Sequence, residues 1–483
     1  GLESFSWTGE DRLLQWDLRH APAVVEALAP ALRNVSGAEL ARRVIGVATR
    51  LLEPLLSALP LQVIHNDIVD WNVICERSRD GRPVPVGLID FGDVTHSYRV
   101  GELAVAATAC ICHSVDDPLK AVAAVATAFH ELVELTEPEI DAIWPLVLAR
   151  AASVAVSTAH QAELEADNAY VVESAQHEWL TLELVAAVPP PLARAALRRA
   201  CGSAPWKSLA EAGRRFQQLA KDAHPMLDLT EPVAVLDLSP TSPMVTHGRW
   251  SDRGRLAESI ASQAEGSICV GRWGEARLIY ATPHTAVSVP TLHLGVDVFA
   301  AAGTPVVAPY DAIVTDVRER EFTIDRDGTL LRAAQVEPRV KHAERVTRGQ
   351  LVGQVAPGER DDQLPAHLHV QVALVDVDPI SEPVQGHRVV PGLGEAGLRD
   401  EWLWLCPDPS PLFGVAAAAS PPNTASVRAE RDQYVASPQL HYYEHPPIIE
   451  RGWREYLYDE RARCYVDVVN NVAVIGHSHP AVE

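Results

Sequence analysis

The chain has 483 residues, 47% of them hydrophobic, which predicts two to four globular domains. Its formal net charge of -23 argues against a nucleic-acid partner, because phosphate contact requires a basic surface. No stretch approaches the roughly 20 consecutive apolar residues of a membrane-spanning helix, so we expect no membrane partner. The start of the chain lacks a secretory pattern, and its seven scattered cysteines fit free thiols in a reducing compartment. We therefore expect a cytoplasmic protein.

Residues 1–205 are predicted to form a helix-rich lobe, because leucines recur at helical spacing and Ala-, Leu- and Glu-rich stretches follow. Within this lobe the short apolar strand 61–64 runs directly into the polar segment His65–Asn72. A second apolar strand, 84–89, leads into Asp90. The ends of the two strands can therefore converge on one site.

The residue types at these strand ends suit phosphoryl transfer, which requires a group to orient the attacking hydroxyl and metal ions to neutralise the phosphates. We predict that Asp67 is catalytic and accepts or orients the proton of the substrate hydroxyl. Asn72 and Asp90 would hold magnesium through oxygen, the ligand atom that this metal prefers. Any one of these residues alone would be an ordinary turn former. Their ordered combination favours a site.

The segments His65–Asn72 and Ile89–Asp93 resemble the aminoglycoside phosphotransferase/choline kinase superfamily, and His96–Ala104 is similar to its hydroxylysine kinase branch. The resemblance implies a kinase that uses ATP with Mg²⁺ and phosphorylates the hydroxyl of a small amino alcohol. It covers only the helical lobe. Such kinases also have a lobe with a phosphate-binding lysine, and here no lysine precedes Lys120 and no glycine-rich loop precedes the catalytic loop. We therefore expect half of a kinase, with no ATP turnover by this chain alone.

After a connector at 206–240, the segment 241–400 is predicted to form a mainly antiparallel β-domain, because short Val-, Ile- and Thr-rich runs alternate with Gly, Pro and Asp. His293 and Asp297 lie four residues apart, and a His-Leu-His segment ends at His369. Two histidines and an aspartate can form a three-ligand zinc site with a position open for water. Such histidine pairs are also often purely structural.

Four motifs of this β-domain resemble the M23 (lysostaphin-like) metallopeptidase family: His293–Asp297, Ala302–Pro309, Val346–Gly353 and Pro365–His369. The resemblance implies that His293, Asp297 and His369 are zinc ligands and that His367 is a catalytic histidine. The family has a further catalytic histidine between these motifs, whereas this sequence has none over 298–341. That departure argues against peptidase action, whereas the three ligands needed for zinc binding are still present.

The composition predicts a linker over 401–438 and a short α/β segment over 439–483. Tyr456–Glu460 and Tyr465–Pro480 resemble the start of class III aminotransferases, and the second of these segments is closest to their phospho-lyase branch. The resemblance implies pyridoxal phosphate as cofactor of a parent protein that forms homo-oligomers through this module. This chemistry requires a Schiff-base lysine. No lysine follows Lys341, so this chain does not hold the cofactor by itself.

The predicted fold class is therefore multidomain α+β: a helical lobe like the C-lobe of protein kinases, an M23-like β-domain and an aminotransferase-like α/β segment. The predicted function is that of a fragment or degenerate form of a bifunctional enzyme. That enzyme would phosphorylate a hydroxylysine- or ethanolamine-like amino alcohol and process it with a pyridoxal-phosphate-dependent aminotransferase or phospho-lyase. One alternative is a zinc-dependent M23-type hydrolase. Another is a non-catalytic scaffold, which would bind neither metal nor nucleotide.

Overall fold

The protein is described by a computed structural model, and its contacts divide the chain into two compact units, Gly1–Pro205 with Val377–Gly386 and Trp206–Asp376 with His387–Glu483. The first division falls where the predicted helical lobe ends. The architecture is mixed α/β and multidomain. The structure describes these residues: 14–115, 117–229, 232–263, 267–281, 290–358, 364–375, 380, 392–419, 424–434 and 447–467.

The first unit is mainly helical, with two small antiparallel strand pairs that flank the predicted catalytic loop. Its helices are Ala21–Leu28 (α1), Val35–Leu52 (α2), Arg99–Ile111 (α3), Pro118–Leu132 (α4), Glu137–Leu164 (α5), Ala169–Ala187 (α6) and Pro190–Ala200 (α7). Its strands are Leu61–Ile64 (β1), Val73–Arg77 (β2), Pro83–Leu88 (β3) and Thr95–Tyr98 (β4). Strand β1 pairs with β4, and β2 pairs with β3.

Helix α5 forms the centre of this unit and is apolar on nearly all sides. It begins at a capping box in which Thr136 and Glu139 satisfy each other's backbone N–H groups. By length and composition, α5 and the bent pair of α6 with α7 are the described helices that could cross a membrane. However, 89% of the apolar stretch of α5 is buried inside the protein, which is typical of a core helix. Its buried Asp141 accepts hydrogen bonds from Arg194 and Arg198 of α7.

The second unit is built on a sheet of eight described strands that is antiparallel except at one edge. In chain order its strands are Val233–Leu236 (β5), Ile268–Gly271 (β6), Gly295–Phe299 (β9), Ala312–Arg318 (β11), Glu321–Arg326 (β12), Thr329–Ala334 (β13), Arg345–Val346 (β15) and His367–Ala373 (β17). Their spatial order is β15-β11-β12-β13-β17-β9-β6-β5, and only the β5–β6 pair is parallel. The predicted β-rich domain is therefore present.

Two smaller antiparallel sheets accompany this large sheet. One contains Glu275–Ala276 (β7), Leu292–His293 (β8) and Leu393–Gly394 (β18), and the other contains Pro305–Val307 (β10), Val336–Pro338 (β14) and Leu351–Val355 (β16). Helix Arg253–Gln263 (α9) precedes β6. Strands β8 and β9 are separated by a single residue, so they carry the predicted metal ligands from the small sheet into the large one.

The segments predicted as connector and linker both contain regular secondary structure. The connector contains helix Lys207–Lys221 (α8) and strand β5, and α8 buries Leu209 and Phe216. In the predicted linker, helix Arg399–Leu405 (α10) is followed by a 3-10 turn at Ser410–Phe413. Apolar side chains among the prolines are buried, so 401–419 is part of the second unit. Helix Thr424–Tyr434 (α11) lies farther along this segment.

The C-terminal segment forms an antiparallel sheet of Ile449–Trp453 (β19), Tyr456–Asp459 (β20) and Cys464–Val466 (β21), without a helix in the part described. This C-terminal sheet packs its aromatic residues into a core cluster with Val245, Trp250 and Leu278. Buried Arg451 donates to the carbonyl oxygens of Pro240 and Ser242. The predicted motif through Pro480 extends beyond the described residues.

Candidate functional site

The predicted catalytic loop is held in place by a glutamate on helix α3. The Glu102 carboxylate accepts hydrogen bonds from the backbone N–H groups of His65 and Asn66, the second at 3.0 Å. Asn66 has a φ of 67°, in the left-handed region that few non-glycine residues adopt. The carboxylate therefore fixes a strained turn immediately before Asp67. Burial raises the pKa of Glu102, although the two N–H groups oppose this shift.

The structure brings two of the predicted kinase residues into direct contact. Asn72 Nδ2 donates to Asp67 Oδ2 at 2.7 Å, and Arg150 Nη2 donates to Asp67 Oδ1 at 3.3 Å. The Arg150 guanidinium lies over the Trp16 ring, 5.7 Å from its centre. Both carboxylate oxygens of Asp67 are therefore oriented by donors. The amide nitrogen of Asn72 faces Asp67, which leaves its oxygen available to a cation.

The predicted magnesium ligand Asp90 is tied to this loop through its neighbour. Ile89 N donates to Asn72 O at 3.1 Å, and Nε2 of buried His65 lies 3.1 Å from Ile89 O. Asp90 itself is exposed, with a φ of 64°, and accepts from Gly92 N at 3.3 Å. Carboxylate and amide oxygens at Asp90 and Asn72 match the ligand chemistry of magnesium.

A second cluster lies where β9 pairs with β17, whose register places His369 opposite Asp297. His293 Nε2 lies 3.2 Å from His369 Nδ1 and 3.3 Å from Asp297 Oδ1. His369 Nδ1 lies 2.8 Å from Asp297 Oδ1. Because Zn–N bonds measure about 2.0–2.1 Å, two ligands of a tetrahedral zinc lie about 3.3 Å apart. The three predicted ligands therefore fit a zinc ion, with His293 and Asp297 buried.

Contacts outside the cluster orient these ligands. His293 Nδ1 lies 3.0 Å from the carbonyl oxygen of Arg272, so Nδ1 carries the proton and Nε2 presents its lone pair to the cluster. Burial, with Arg277 nearby, lowers the pKa of His293 to about 4. Although burial opposes it, His293 and Arg277 hold the pKa of Asp297 well below its ordinary value. Nε2 of His293 and the Asp297 carboxylate are therefore presented to the cluster in the deprotonated form that zinc binds.

The predicted catalytic residue His367 is outside the three-residue cluster. Its Nδ1 lies 2.9 Å from Pro365 O, and its ring packs on Phe299. The carbonyl accepts from Nδ1–H, which leaves Nε2 free to accept a proton. His367 lies on the same face of β17 as His369, two positions away.

Several residues at these sites were not predicted from the sequence. Arg150 lies 83 positions from Asp67, and no local pattern connects them. Glu102 lies inside the motif that resembles hydroxylysine kinases, and that motif was its only signal. Glu275 lies in the two-residue strand β7, and Arg277, which follows that strand directly, donates to Glu275. Two opposite charges two positions apart were the signal available for them.

Comparison with known proteins relates the first unit to kinases. Residues 2–138 match the Phosphotransferase enzyme family. The chain is also similar to hydroxylysine kinase from Mus musculus, with 25% identity over 173 residues that cover 35% of this chain and 46% of the kinase. The chain thus spans less than half the length of that relative. These matches support a kinase-type enzyme.

Shorter matches involve two further curated proteins. An alanine–glyoxylate aminotransferase 2-like protein from Drosophila melanogaster is 43% identical over 53 residues, 11% of each chain. An ethanolamine-phosphate phospho-lyase homolog from Caenorhabditis elegans is 32% identical over 56 residues, 12% of each chain.

Some of the solved structures that are similar to this chain are peptidases. A zinc-containing peptidase from Vibrio cholerae is 25% identical over 23% of this chain and 34% of its own, with a TM-score of 0.17. The catalytic domain of a prophage-encoded M23 protein from Enterococcus faecalis is 22% identical over 20% of this chain and 75% of its own, with a TM-score of 0.16. These TM-scores are too low to assign a role to any residue here.

Proposed function

We propose that the first unit is the substrate half of an ATP-dependent kinase that phosphorylates the hydroxyl of a small amino alcohol of the hydroxylysine or ethanolamine type. The observation that carries this proposal is the arrangement around Asp67. Its two oxygens are held by Asn72 and Arg150 on a loop that Glu102 fixes. The match of residues 2–138 to phosphotransferases supports the same reaction class.

In this mechanism Asp67 orients the substrate hydroxyl and accepts its proton as the oxygen attacks the terminal phosphate of ATP. Arg150 and Asn72 each donate to a different oxygen of this carboxylate, which holds it in one orientation. Asn72 and Asp90 would hold magnesium through their oxygens, and the ion would supply charge neutralisation of the phosphates. The lysine that binds nucleotide phosphates in such kinases has no counterpart before Lys120. Turnover would then require a lysine-bearing lobe.

Calorimetric titration with amino alcohols tests this proposal. We expect 5-hydroxylysine or ethanolamine to bind more tightly than lysine or ethylamine, which lack the hydroxyl. Asp67→Asn should weaken that preference, because a neutral amide oxygen accepts a weaker hydrogen bond from the hydroxyl than a carboxylate oxygen does. Asp70→Asn is the matched control, since Asp70 lies on the same loop but pairs with exposed His113. Equal binding with and without the hydroxyl would refute the assignment, and ATP turnover by this chain would refute the need for a further lobe.

We further propose that the parent protein passes the phosphorylated product to a pyridoxal-phosphate-dependent lyase. The short matches to an aminotransferase-like protein and a phospho-lyase homolog support this order of reactions. The described C-terminal residues 447–467 contain no lysine, so they do not fit the cofactor. We assign no step of that reaction to this chain.

A second candidate function is zinc binding by the β-domain, favoured by the convergence of His293, Asp297 and His369. The ion would supply a Lewis acid at a position open to water, and His367 is the nearby group that can accept a proton. Elemental analysis of protein purified without added zinc tests this. About one zinc per chain is expected, whereas a content well below one that does not rise on titration would refute it.

A further inference from the structure

Arg277 lies beside the metal cluster and is almost completely enclosed, with 2% of its side chain exposed. Its Nη1 donates to Asp297 Oδ2 at 2.6 Å, and its Nε donates to Glu275 Oε2 at 2.9 Å. Its Nη2 lies 3.3 Å from the carbonyl oxygen of Arg272. All three nitrogens of the guanidinium therefore have acceptors, which fixes its position and plane.

This guanidinium acts on two of the three candidate ligands: it contacts Asp297 directly and His293 through a shared carbonyl group. Asp297 uses Oδ2 for Arg277, so only Oδ1 faces the histidines. The Arg272 carbonyl that accepts from Arg277 also accepts from His293 Nδ1. One side chain thus determines which oxygen Asp297 presents and supports the carbonyl that orients His293.

The backbone makes room for this arrangement. Gly271 lies opposite Asp297 in the pairing of β6 with β9. A Cβ at Gly271 would lie 2.7 Å from Arg277 Nη2, closer than a carbon and a nitrogen can approach. Glu275 balances the arginine charge, and its Oε1 accepts from Leu238 N at 3.0 Å. Glu275 is thus fixed by the backbone of Leu238 and by Arg277, with Arg272 Nη1 3.8 Å from its Oε1.

We propose that Arg277 is a positioning residue for the zinc site. It restricts Asp297 to ligation through one oxygen, and it holds in place the Arg272 carbonyl that orients His293. This rests on the zinc-binding function proposed above. Outer contacts of this kind typically change metal affinity 10–100-fold. Arg277 touches neither the metal nor substrate in this scheme, so its effect reaches the metal through the geometry of the ligands.

The test compares zinc affinity by competition with a chromogenic chelator and the visible absorption of the cobalt-substituted protein. The informative variant is the double substitution Glu275→Gln with Arg277→Gln, which removes both partners of the buried ion pair together. Arg277→Lys keeps the charge but loses the planar fork. The control is Arg318→Gln, which removes an arginine–aspartate pair on β11, three strands away from β17 in the same sheet.

We expect the double variant to bind zinc about 10–100-fold more weakly than wild type, with an altered cobalt spectrum. The zinc affinity of the lysine variant should lie between those of the double variant and wild type, and that of the control should equal wild type. Thermal unfolding of the metal-free proteins shows whether each variant is folded, and the lysine variant serves if the double variant is not. Wild-type affinity and spectrum in the folded variants would overturn the role of Arg277. Failure of wild type itself to bind zinc or cobalt would overturn the zinc site and this role with it.

Discussion

Replacing Glu102 by glutamine tests how firmly the kinase-like loop is held. The two oxygens of Glu102 accept from different backbone N–H groups, those of His65 and Asn66. Glutamine has the same shape but only one accepting oxygen, so one N–H would face an amide NH₂ group. An unsatisfied buried donor costs about 1–3 kcal/mol. We expect Glu102→Gln to lower the unfolding free energy of the helical unit by that amount, and Glu102→Ala to lower it further.

Urea unfolding followed by far-ultraviolet circular dichroism measures this loss, because most of the described helices belong to the first unit. Glu131→Gln, at an exposed position near the end of helix α4, is the matched control and should leave the transition unchanged. The same Glu102 variant should also weaken amino-alcohol binding, since the turn at Asn66 sets the position of Asp67. If its unfolding midpoint and its binding both equal those of the control, the carboxylate does not anchor the loop.

Asp141→Asn should destabilise the helical unit by about 3–5 kcal/mol, because Arg194 and Arg198 would lose the buried negative charge and one of its two accepting oxygens. Burial raises the pKa of Asp141, but its arginine partners outweigh burial and lower it overall. The folded carboxyl therefore stays ionised at a pH where the unfolded one is protonated, so the urea midpoint of the wild type should fall as the pH drops below about 4. A variant whose midpoint falls equally at acid pH would contradict this. Gly295→Ala would place a Cβ 2.6 Å from Cε1 of His369 and should weaken zinc binding at least about tenfold in chelator competition, whereas unchanged affinity would show that the ring is placed elsewhere. Gly248→Ala would place a Cβ 2.2 Å from the Trp453 ring at a φ of +67°, so limited proteolysis should cut faster around residues 447–467; an unaltered cleavage rate would argue against this packing.

The sequence predicted the parts of each site that depend on local spacing. Asp67 and Asn72 lie on one loop, and the alternation along a strand placed His367 and His369 on one face. The partners that orient these residues come from distant elements, as Arg150 does. Their positions depend on how distant helices and strands pack together, and local patterns in a sequence do not reveal that packing.

The segments predicted as connector and linker show a different limit. Proline, alanine and serine around residue 415 suggested an unstructured linker, but the few apolar residues between them decide the outcome. Leu412 and Phe413 are buried, and Met226 N donates to Leu412 O at 3.0 Å. Average composition conceals such anchors, because a few buried side chains with satisfied backbone groups are enough to fix a short segment.

The packing of the C-terminal sheet has a consequence for how this polypeptide can be divided. Its Tyr456 and Tyr458 complete a cluster around Trp250, so the second unit should melt together with this sheet as one cooperative block. A protein truncated at residue 438, where the composition changes, would expose that aromatic surface to water. Such a shortened protein should self-associate through the exposed apolar patch, whereas a protein that extends through Asp467 keeps this patch covered and should not.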